Sequence, residues 1–203
     1  MRKFDTENPK KGFTLIELLV VIAILTVLAV AVVLVLNPAQ LIRQGRDSTR
    51  ISDLSALNSA IALYLADFAN PAIGTTSFCT SGIASKSCNG GCGSAPACTE
   101  RASSTVDGGG WVTINFNSIS SGSPLSKLPL DPIATQGSPN CGAGAEACFY
   151  QYIPSDNTLL TFELNASMES TKFAFGGTSN VESTDGGDNP NAYEVGNDPG
   201  LDL

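Results

Sequence analysis

The sequence contains no histidine in its 203 residues, and only 15% of its residues are charged. Without histidine, the chain cannot form a Ser-His or Cys-His catalytic pair, a histidine-bearing zinc site or a histidine pH switch. Its 19 acidic residues outnumber its 11 basic ones, for a net charge of −8. This balance argues against nucleic acid bound along the body of the protein. The composition therefore excludes histidine-dependent catalysis, and no other catalytic residue set is evident.

One long apolar run, Phe13–Leu36, dominates the composition, and its only polar residues are Thr14, Glu17 and Thr26. Its roughly 24 residues would span ~36 Å as a helix, enough to cross a ~30 Å hydrocarbon layer. A core helix of a soluble domain keeps a polar face, and the apolar part of a secretory signal peptide is shorter. The run therefore predicts a membrane-spanning helix.

Glu17 lies five residues into this run. An ionisable side chain deep in a bilayer costs a few kcal/mol on insertion scales, so it is a functional candidate whose partner must be found. The alternative is a glutamate close enough to the interface to reach water. The flanking residues bear on this choice.

The sequence of residues 10–18 is KKGFTLIEL. Two basic residues and a glycine followed by Phe-Thr-Leu-Ile-Glu resemble the signal of type IV pilins and type II secretion pseudopilins. The resemblance implies that a prepilin peptidase cuts between Gly12 and Phe13 and methylates the new amine of Phe13. Glu17 then becomes the fifth residue of the mature chain. Glycine suits the cut because it presents no side chain to the protease.

The same resemblance implies a role in assembly for Glu17. A buried amine and a buried carboxylate are each unfavourable alone and offset one another when paired. The Phe13 amine of an incoming subunit would therefore meet Glu17 of its neighbour and set the register. The implied partners are the prepilin peptidase, other subunits of a homo-oligomeric helical fibre, the inner-membrane assembly platform and the lipid bilayer, which holds unassembled subunits.

Charge barely determines the orientation of the helix in the membrane. The positive-inside rule compares the basic residues on the two flanks. The N-terminal flank carries four, Arg2, Lys3, Lys10 and Lys11, and the C-terminal flank carries three, Arg43, Arg46 and Arg50. The family places the leader in the cytoplasm, and all cysteines lie on the far side. We therefore expect a single-pass protein of the cytoplasmic membrane that joins a periplasmic or cell-surface fibre after assembly.

A second helical pattern follows Asn37-Pro38, where proline predicts either a kink or the end of the membrane helix. The apolar stripe has helical spacing and consists of Ile51, Leu54, Leu57, Ile61, Tyr64 and Phe68. We expect it to dock on a globular head and the helix to end near Asn70-Pro71. Arg43, Arg46 and Arg50 fall on nearly the same face of this helix. We expect them to lie either below the head, near lipid headgroups or an acidic neighbour, or in solvent.

The remaining residues, 71–203, predict a small β-rich head. Alternating patterns suggest four antiparallel strands, at residues 111–116, 149–153, 159–164 and 171–175. We expect a turn at Asp156-Asn157, between the second and third strands. The whole chain thus predicts an α+β fold with a pilin-like layout, in which a long membrane helix continues as an amphipathic helix packed on the sheet. Its expected segments are a leader (1–12), a membrane or fibre-core helix (13–36), an amphipathic half (37–70) and the head (71–203).

Six cysteines lie in the head. An even number beyond a membrane helix predicts disulfides formed in an oxidising compartment, and the spacing does not choose among the possible pairings. CxxC spacing, which zinc sites usually show, is absent. The disulfide candidates are Cys79, Cys88, Cys92, Cys98, Cys141 and Cys148.

A second resemblance lies in the head, at Leu128-Pro129-Leu130-Asp131-Pro132 followed by Tyr150-Gln151-Tyr152. This pattern is similar to the major pseudopilin of type II secretion. The sequence departs from that family in carrying Ile133 where an aromatic residue is usual, and in a long insert before the Tyr-x-Tyr segment.

The tail from about residue 182 to 203 carries carboxylates and no basic residue. Clustered Asp, Asn and Gly suit calcium, which takes six to eight oxygen ligands, and some major pseudopilins hold calcium near this end. The candidate ligands are Asp185, Asp188, Asn189 and Asp198. The alternative is a solvated, flexible terminus. Calcium is the only cofactor that the sequence suggests.

Together these patterns predict a structural fibre subunit, a pilin or pseudopilin, that is itself no enzyme. Two alternatives stay open. The first is a membrane-tethered extracytoplasmic binding domain that never assembles, and the second is a minor or initiating pilin.

Overall fold

The computed structural model describes residues 12–80, 99–101, 103–133 and 150–203. The chain forms two compact units, one that ends at Leu41 and one that comprises Ile42–Leu203.

The first unit is dominated by helix α1, Leu15–Leu36, which is apolar on all sides. Its large side chains up to Val33 are 49% to 81% exposed. A helix that is apolar all round belongs in a membrane or in a large core. By length and composition, the helical stretch Leu15–Asp67 contains the one segment of the described residues suited to crossing a membrane.

The helix breaks at Asn37. Asn37 adopts a left-handed conformation (φ 40°) and caps α1, a conformation that asparagine tolerates better than most residues. Helix α2, Pro38–Asp67, then begins with proline at its first position, where the missing N–H of proline costs nothing. Pro38 thus starts a new helix instead of lying inside a continuous one.

The second unit packs the apolar stripe of α2 against a sheet and long loops. Five side chains of the helix are buried in this core: Leu54, Leu57, Ala60, Ile61 and Tyr64. They meet a cluster of buried aromatic side chains: Trp111, Phe116, Tyr150, Tyr152 and Phe162. The predicted docking of this stripe is confirmed.

The sheet has five strands in the order β2-β1-β3-β4-β5. The strands are β1 (Phe78–Cys79), β2 (Thr99–Glu100), β3 (Tyr150–Pro154), β4 (Phe162–Ala166) and β5 (Tyr193–Gly196). The pairs β1–β3, β3–β4 and β4–β5 are antiparallel, whereas β2 adds to β1 in parallel. The α+β layout, a long N-terminal helix followed by a small antiparallel sheet, is confirmed.

Two of the predicted strands are wrong. Residues 111–116 form a loop that leads into a short 3-10 helix, Phe116–Ser118. Val112, Ile114 and Phe116 are buried and Asn115 is exposed, so the predicted alternation is present. In the described residues, however, the backbone of this segment forms only an isolated bridge, between Asp107 and Asn115. Residues 171–175 form turns, in which the Ala174 amide donates to the carbonyl of Ser170.

The β3–β4 hairpin is where the sequence predicts it, but β4 begins later than expected. Asp156 Oδ1 accepts the amides of Thr158 (2.6 Å) and Leu159 (2.7 Å), which confirms the turn. Leu160 follows with a left-handed backbone (φ 59°). This extended turn moves the start of β4 from residue 159 to Phe162.

The acidic tail is folded, so the expectation of a flexible, solvated terminus is wrong. Its strand β5 pairs with β4 from Tyr193 to Gly196. Glu182, Asn189 and Glu194 are buried. The strand was missed because the acidic residues of this segment are unusual for a buried strand.

Candidate functional site

The predicted cleavage site lies just before helix α1. Gly12, Phe13 and Thr14 are not helical, and Phe13 is 89% exposed. A Cβ added at Gly12 would meet no atom within 4 Å. The peptide bond between Gly12 and Phe13 therefore lies in exposed, non-helical chain next to the start of an apolar helix.

Thr14 and Glu17 form a capping box at the start of α1. Glu17 Oε2 accepts the Thr14 amide at 2.8 Å and the Thr14 hydroxyl at 2.7 Å. The Glu17 amide in turn donates to Thr14 Oγ1 at 3.3 Å. Such a box satisfies helix N-terminal amides, and a carboxylate there is favoured by the helix dipole.

The capping box gives Glu17 a partner within its own chain. The sequence analysis missed this partner, although the Thr-x-x-Glu pattern of residues 14–17 is its signature. The bonds of the box use only Oε2 of the carboxylate. In the described residues, the second oxygen, Oε1, is thus available to a donor from outside.

Besides Glu17, the one polar side chain in the sequence of α1 is Thr26. The Thr26 hydroxyl donates to the carbonyl of Ala23 at 2.8 Å, so it is satisfied within the helix. A helix with one carboxylate at its N-terminus and an otherwise apolar surface can pack in lipid or against similar helices.

The arginines of α2 are placed differently from the prediction. Arg50 is fully buried in the second unit and makes a two-pronged contact with Asp131, through Nε (2.6 Å) and Nη2 (3.0 Å). Its Nη1 donates to Asp47 at 2.8 Å, and it also pairs with Glu169. Arg50 therefore lies neither at lipid headgroups nor in solvent.

Arg46 pairs with Glu169, and Arg43 alone of the three arginines is exposed. Burial alone would raise the pKa of Glu169, but the hydrogen bonds and charges of Arg46 and Arg50 lower it below its usual value. Burial would likewise lower the pKa of Arg50, but Asp131 and Glu169 raise it. The prediction of a basic patch failed because its acidic partners come from distant parts of the chain.

Asp47 completes this ion cluster by binding backbone. Its carboxylate accepts the amides of Glu169 (2.9 Å) and Ser170 (2.8 Å) as well as Arg50. Asp47 thus accepts three hydrogen bonds, and such additional bonds help a buried ion cluster to be tolerated. The cluster ties α2 to the segment after β4.

The Leu-Pro-Leu-Asp-Pro segment contributes Asp131 to this cluster. The indole N–H of Trp111 donates to the carbonyl of Pro129 at 2.9 Å, and the Tyr150 hydroxyl donates to Asp53 at 2.7 Å. The segment therefore anchors α2 and the aromatic core to one another.

Of the six cysteines, the structure describes Cys79. It lies in β1, is buried and is disulfide-bonded. Cys88, Cys92, Cys98, Cys141 and Cys148 lie outside the described residues, so the pairing pattern stays a prediction.

The four candidate calcium ligands are distributed along the tail, and three of them accept backbone amides. Asp185 accepts from Glu194 (2.7 Å), Asn189 from Asn191 (3.1 Å) and Asp198 from Asp202 (3.4 Å). Within the described ranges, no group of three or more His, Cys, Asp or Glu side chains is arranged to hold a metal ion.

Calcium binding by Asp185, Asp188, Asn189 and Asp198 stays a prediction. It requires these oxygens to exchange amide donors for the ion, which calorimetric titration with calcium chloride would detect as heat. A titration to millimolar calcium that gives only the heat of dilution would contradict it.

Comparison with known families bears on the N-terminal site. The family model described as the prokaryotic N-terminal methylation motif matches residues 8–33. No curated protein and no solved structure matches the chain significantly. The matched residues contain Gly12, Phe13, the capping box and most of α1. The chain thus carries the prepilin-type signal that is the signature of type IV pilins and pseudopilins.

Proposed function

We propose that this protein is a structural subunit of a type IV pilus-like fibre or of a type II secretion pseudopilus. A prepilin peptidase removes residues 1–12 and methylates Phe13, and the subunit waits in the cytoplasmic membrane until it is assembled. The observation that carries the proposal is the methylation motif at residues 8–33, which leads into a helix whose large apolar side chains are exposed from Leu15 to Val33.

The apolar surface of α1 has to be covered. Its exposed leucine, isoleucine and valine side chains must be kept from water, because exposure costs ~25 cal/mol of free energy per Å2 of apolar surface. The bilayer does this for a free subunit, and neighbouring stems do it in a fibre. The free Oε1 of Glu17 offers an acceptor to the amine of a neighbouring Phe13.

A membrane-tethered binding domain is the main alternative. The second unit contains a cleft of about 330 Å3, lined by Asp53, Lys127 and the Leu128–Pro132 segment. This volume is at the small end for ligand pockets. A membrane-tethered binding domain would need no processing. A minor or initiating pilin, the other alternative, would be processed and would enter fibres in few copies.

Mass spectrometry of the N-terminus tests processing. We expect the protein from cells with the prepilin peptidase to begin at N-methylated Phe13, and the Gly12→Val variant to retain its leader. Because a side chain at residue 12 meets no other atom, the variant should fold normally, so its effect would arise at the peptidase.

A matched control is Gly45→Val, in which a glycine of α2 with equally open surroundings is replaced and processing should be unchanged. A wild-type protein that keeps residues 1–12 in those cells would contradict the proposal and favour the tether.

A further inference from the structure

A partly buried carboxylate lines the cleft of the second unit. The cleft, of about 330 Å3, is lined by Asp53 of α2, by Lys127 and by the Leu128–Pro132 segment. Asp53 Oδ2 accepts the Tyr150 hydroxyl at 2.7 Å. Its other oxygen, Oδ1, has no hydrogen-bond or ion-pair partner among the described residues. Asp53 therefore keeps an acceptor for a group from outside its own chain.

The Leu128–Pro132 wall of the cleft is poor in hydrogen-bond donors. Its two prolines have no N–H, and the Leu128 amide donates to the carbonyl of Ser104 at 2.8 Å. The one charged donor in the lining, Lys127, is exposed, so its ammonium can stay in water. A guanidinium on an apolar stem suits such a lining, because it has five donors and no acceptor.

Arg43 is a guanidinium that needs a partner. It is exposed and makes no hydrogen bond or ion pair in the part of the chain that the structure describes. It precedes Arg50 by seven residues, so it lies on nearly the same side of α2 but about 10 Å nearer to the start of the helix. Ile42 beside it is 61% exposed. Arg43 and Ile42 thus form an uncovered basic and apolar surface.

The other cations of the described ranges are already engaged, apart from Lys127 in the cleft itself. Two pair with an acid of their own chain and two lie over aromatic rings: Arg46 and Arg50 with Glu169, Arg101 over Phe78, and Lys172 over Phe173. Within these ranges, Arg43 is therefore the cation that a neighbouring copy can offer to the cleft.

Arg43 and Asp53 cannot meet within one copy. Ten residues of helix separate them, which is about 15 Å along the axis and about 80° around it. The axial distance alone exceeds the combined length of the two side chains. A contact between such different patches on two copies is heterologous, and its repetition builds an open helical filament.

We propose that, in the fibre, Arg43 of one copy inserts into the cleft of a second copy and pairs with Asp53 Oδ1, with its stem along the Leu128–Pro132 wall. The inference rests on the proposed function and names a contact of the second unit that the fibre requires. For parallel α2 helices, the copy that supplies Arg43 is displaced by about 15 Å towards the C-terminal end of the helix.

The electrostatics of the cleft agree with this geometry. Burial raises the pKa of Asp53, the hydrogen bond from Tyr150 lowers it and the charge of Asp131 raises it, with a net upward shift. The carboxylate is thus disfavoured in the isolated subunit. A guanidinium at Oδ1 would stabilise the ionised form, so the pair is stronger than a fully exposed one.

Cross-linking without a spacer tests the contact in sheared fibres. Arg43→Lys introduces an amine that carbodiimide treatment should couple to the Asp53 carboxyl, and mass spectrometry should identify the coupled peptides. The two groups are too far apart in one copy to be coupled, so this product reports a contact between copies. Adding Asp53→Asn should abolish it, whereas adding Asp202→Asn, at an exposed position, should leave it unchanged.

Charge reversal gives a second measurement, the fraction of subunits recovered in fibres relative to the membrane fraction. Arg43→Glu and Asp53→Arg should each lower this fraction about ten-fold, because like charges then meet. The double variant should recover to within about three-fold of the wild type, since it restores the opposite pair. Lys172→Glu, the same change at a cation that lies over its own Phe173 ring, should stay within about two-fold.

The outcomes separate this inference from the proposed function. Fibres in which Asp53 is coupled to no amine, or to one other than that of Arg43→Lys, would overturn the contact and leave the fibre role intact. So would a double variant that assembles as poorly as the single ones, or a Lys172→Glu variant that loses as much. A wild-type protein that forms no fibres would overturn the proposed function, and the contact with it.

Discussion

Replacing Arg50 by alanine should lower the free energy of unfolding of the second unit by about 3–5 kcal/mol, the usual cost of leaving a buried charge unpaired. The variant removes the cation that Asp131 and Asp47 both contact, and these two carboxylates are at most 1% exposed. Neither has another cation among its hydrogen-bond partners in the described residues, and the backbone amides that each still accepts carry no full positive charge to offset its own.

Urea denaturation followed by the fluorescence of Trp111 measures this effect, since the protein contains a single tryptophan and it is fully buried in the second unit. Arg50→Lys should restore only part of the stability, because an ammonium cannot make the two-pronged contact. Arg43→Ala, on the exposed face of the same helix, should change stability by less than about 0.5 kcal/mol. A loss below about 1 kcal/mol in Arg50→Ala would show that the ion cluster contributes little.

Replacing Glu17 by alanine should reduce incorporation into fibres by a factor of ten or more, about 1.4 kcal/mol of lost pairing. The variant leaves the apolar surface of α1 and the proposed cleavage site in place but removes the proposed acceptor for a neighbouring Phe13 amine. The fraction of subunits recovered in sheared fibres, relative to the membrane fraction, measures the effect in cells that carry the assembly machinery.

The Glu17 result is informative only if processing continues, so the mature N-terminus must be verified by mass spectrometry in the same preparation. Thr14→Val breaks the capping box but keeps the carboxylate, and should cost less than Glu17→Ala. Thr26→Val, which removes a hydroxyl bonded only within the helix, is the matched control. Entry of Glu17→Ala at the wild-type rate would argue that the carboxylate serves only as a helix cap.

The helices were predictable because their signals are local. An unbroken apolar run specified α1, and residues three and four apart specified the buried face of α2. Asn37-Pro38 likewise marked the break between them. The methylation motif also lies within consecutive residues, which is why it could be identified from the sequence. The Thr-x-x-Glu signature of the capping box is equally local, although it was missed.

The strands and the buried ionic groups depended on partners far away in the chain. The side chains from Val112 to Phe116 alternate between buried and more exposed as those of a strand do. The sequence did not reveal that, in the described residues, the backbone there forms only an isolated bridge with Asp107. Arg50 looked exposed because Asp131, its main partner, lies 81 residues away. Glu194 looked solvated because strand β4, with which its own strand pairs, lies well before it in the chain.

The ion cluster of Arg46, Arg50, Asp47, Asp131 and Glu169 also sets an order of events during biosynthesis. Glu169 lies 123 residues after Arg46, and contacts of such long sequence separation form slowly. The ion pairs of Arg46 and Arg50 with Glu169 can form only once the chain has been synthesised past that residue. The pair of Arg50 with Asp131 can form earlier, so the first turns of α2 are joined first to the Leu128–Pro132 segment and last to the segment after β4.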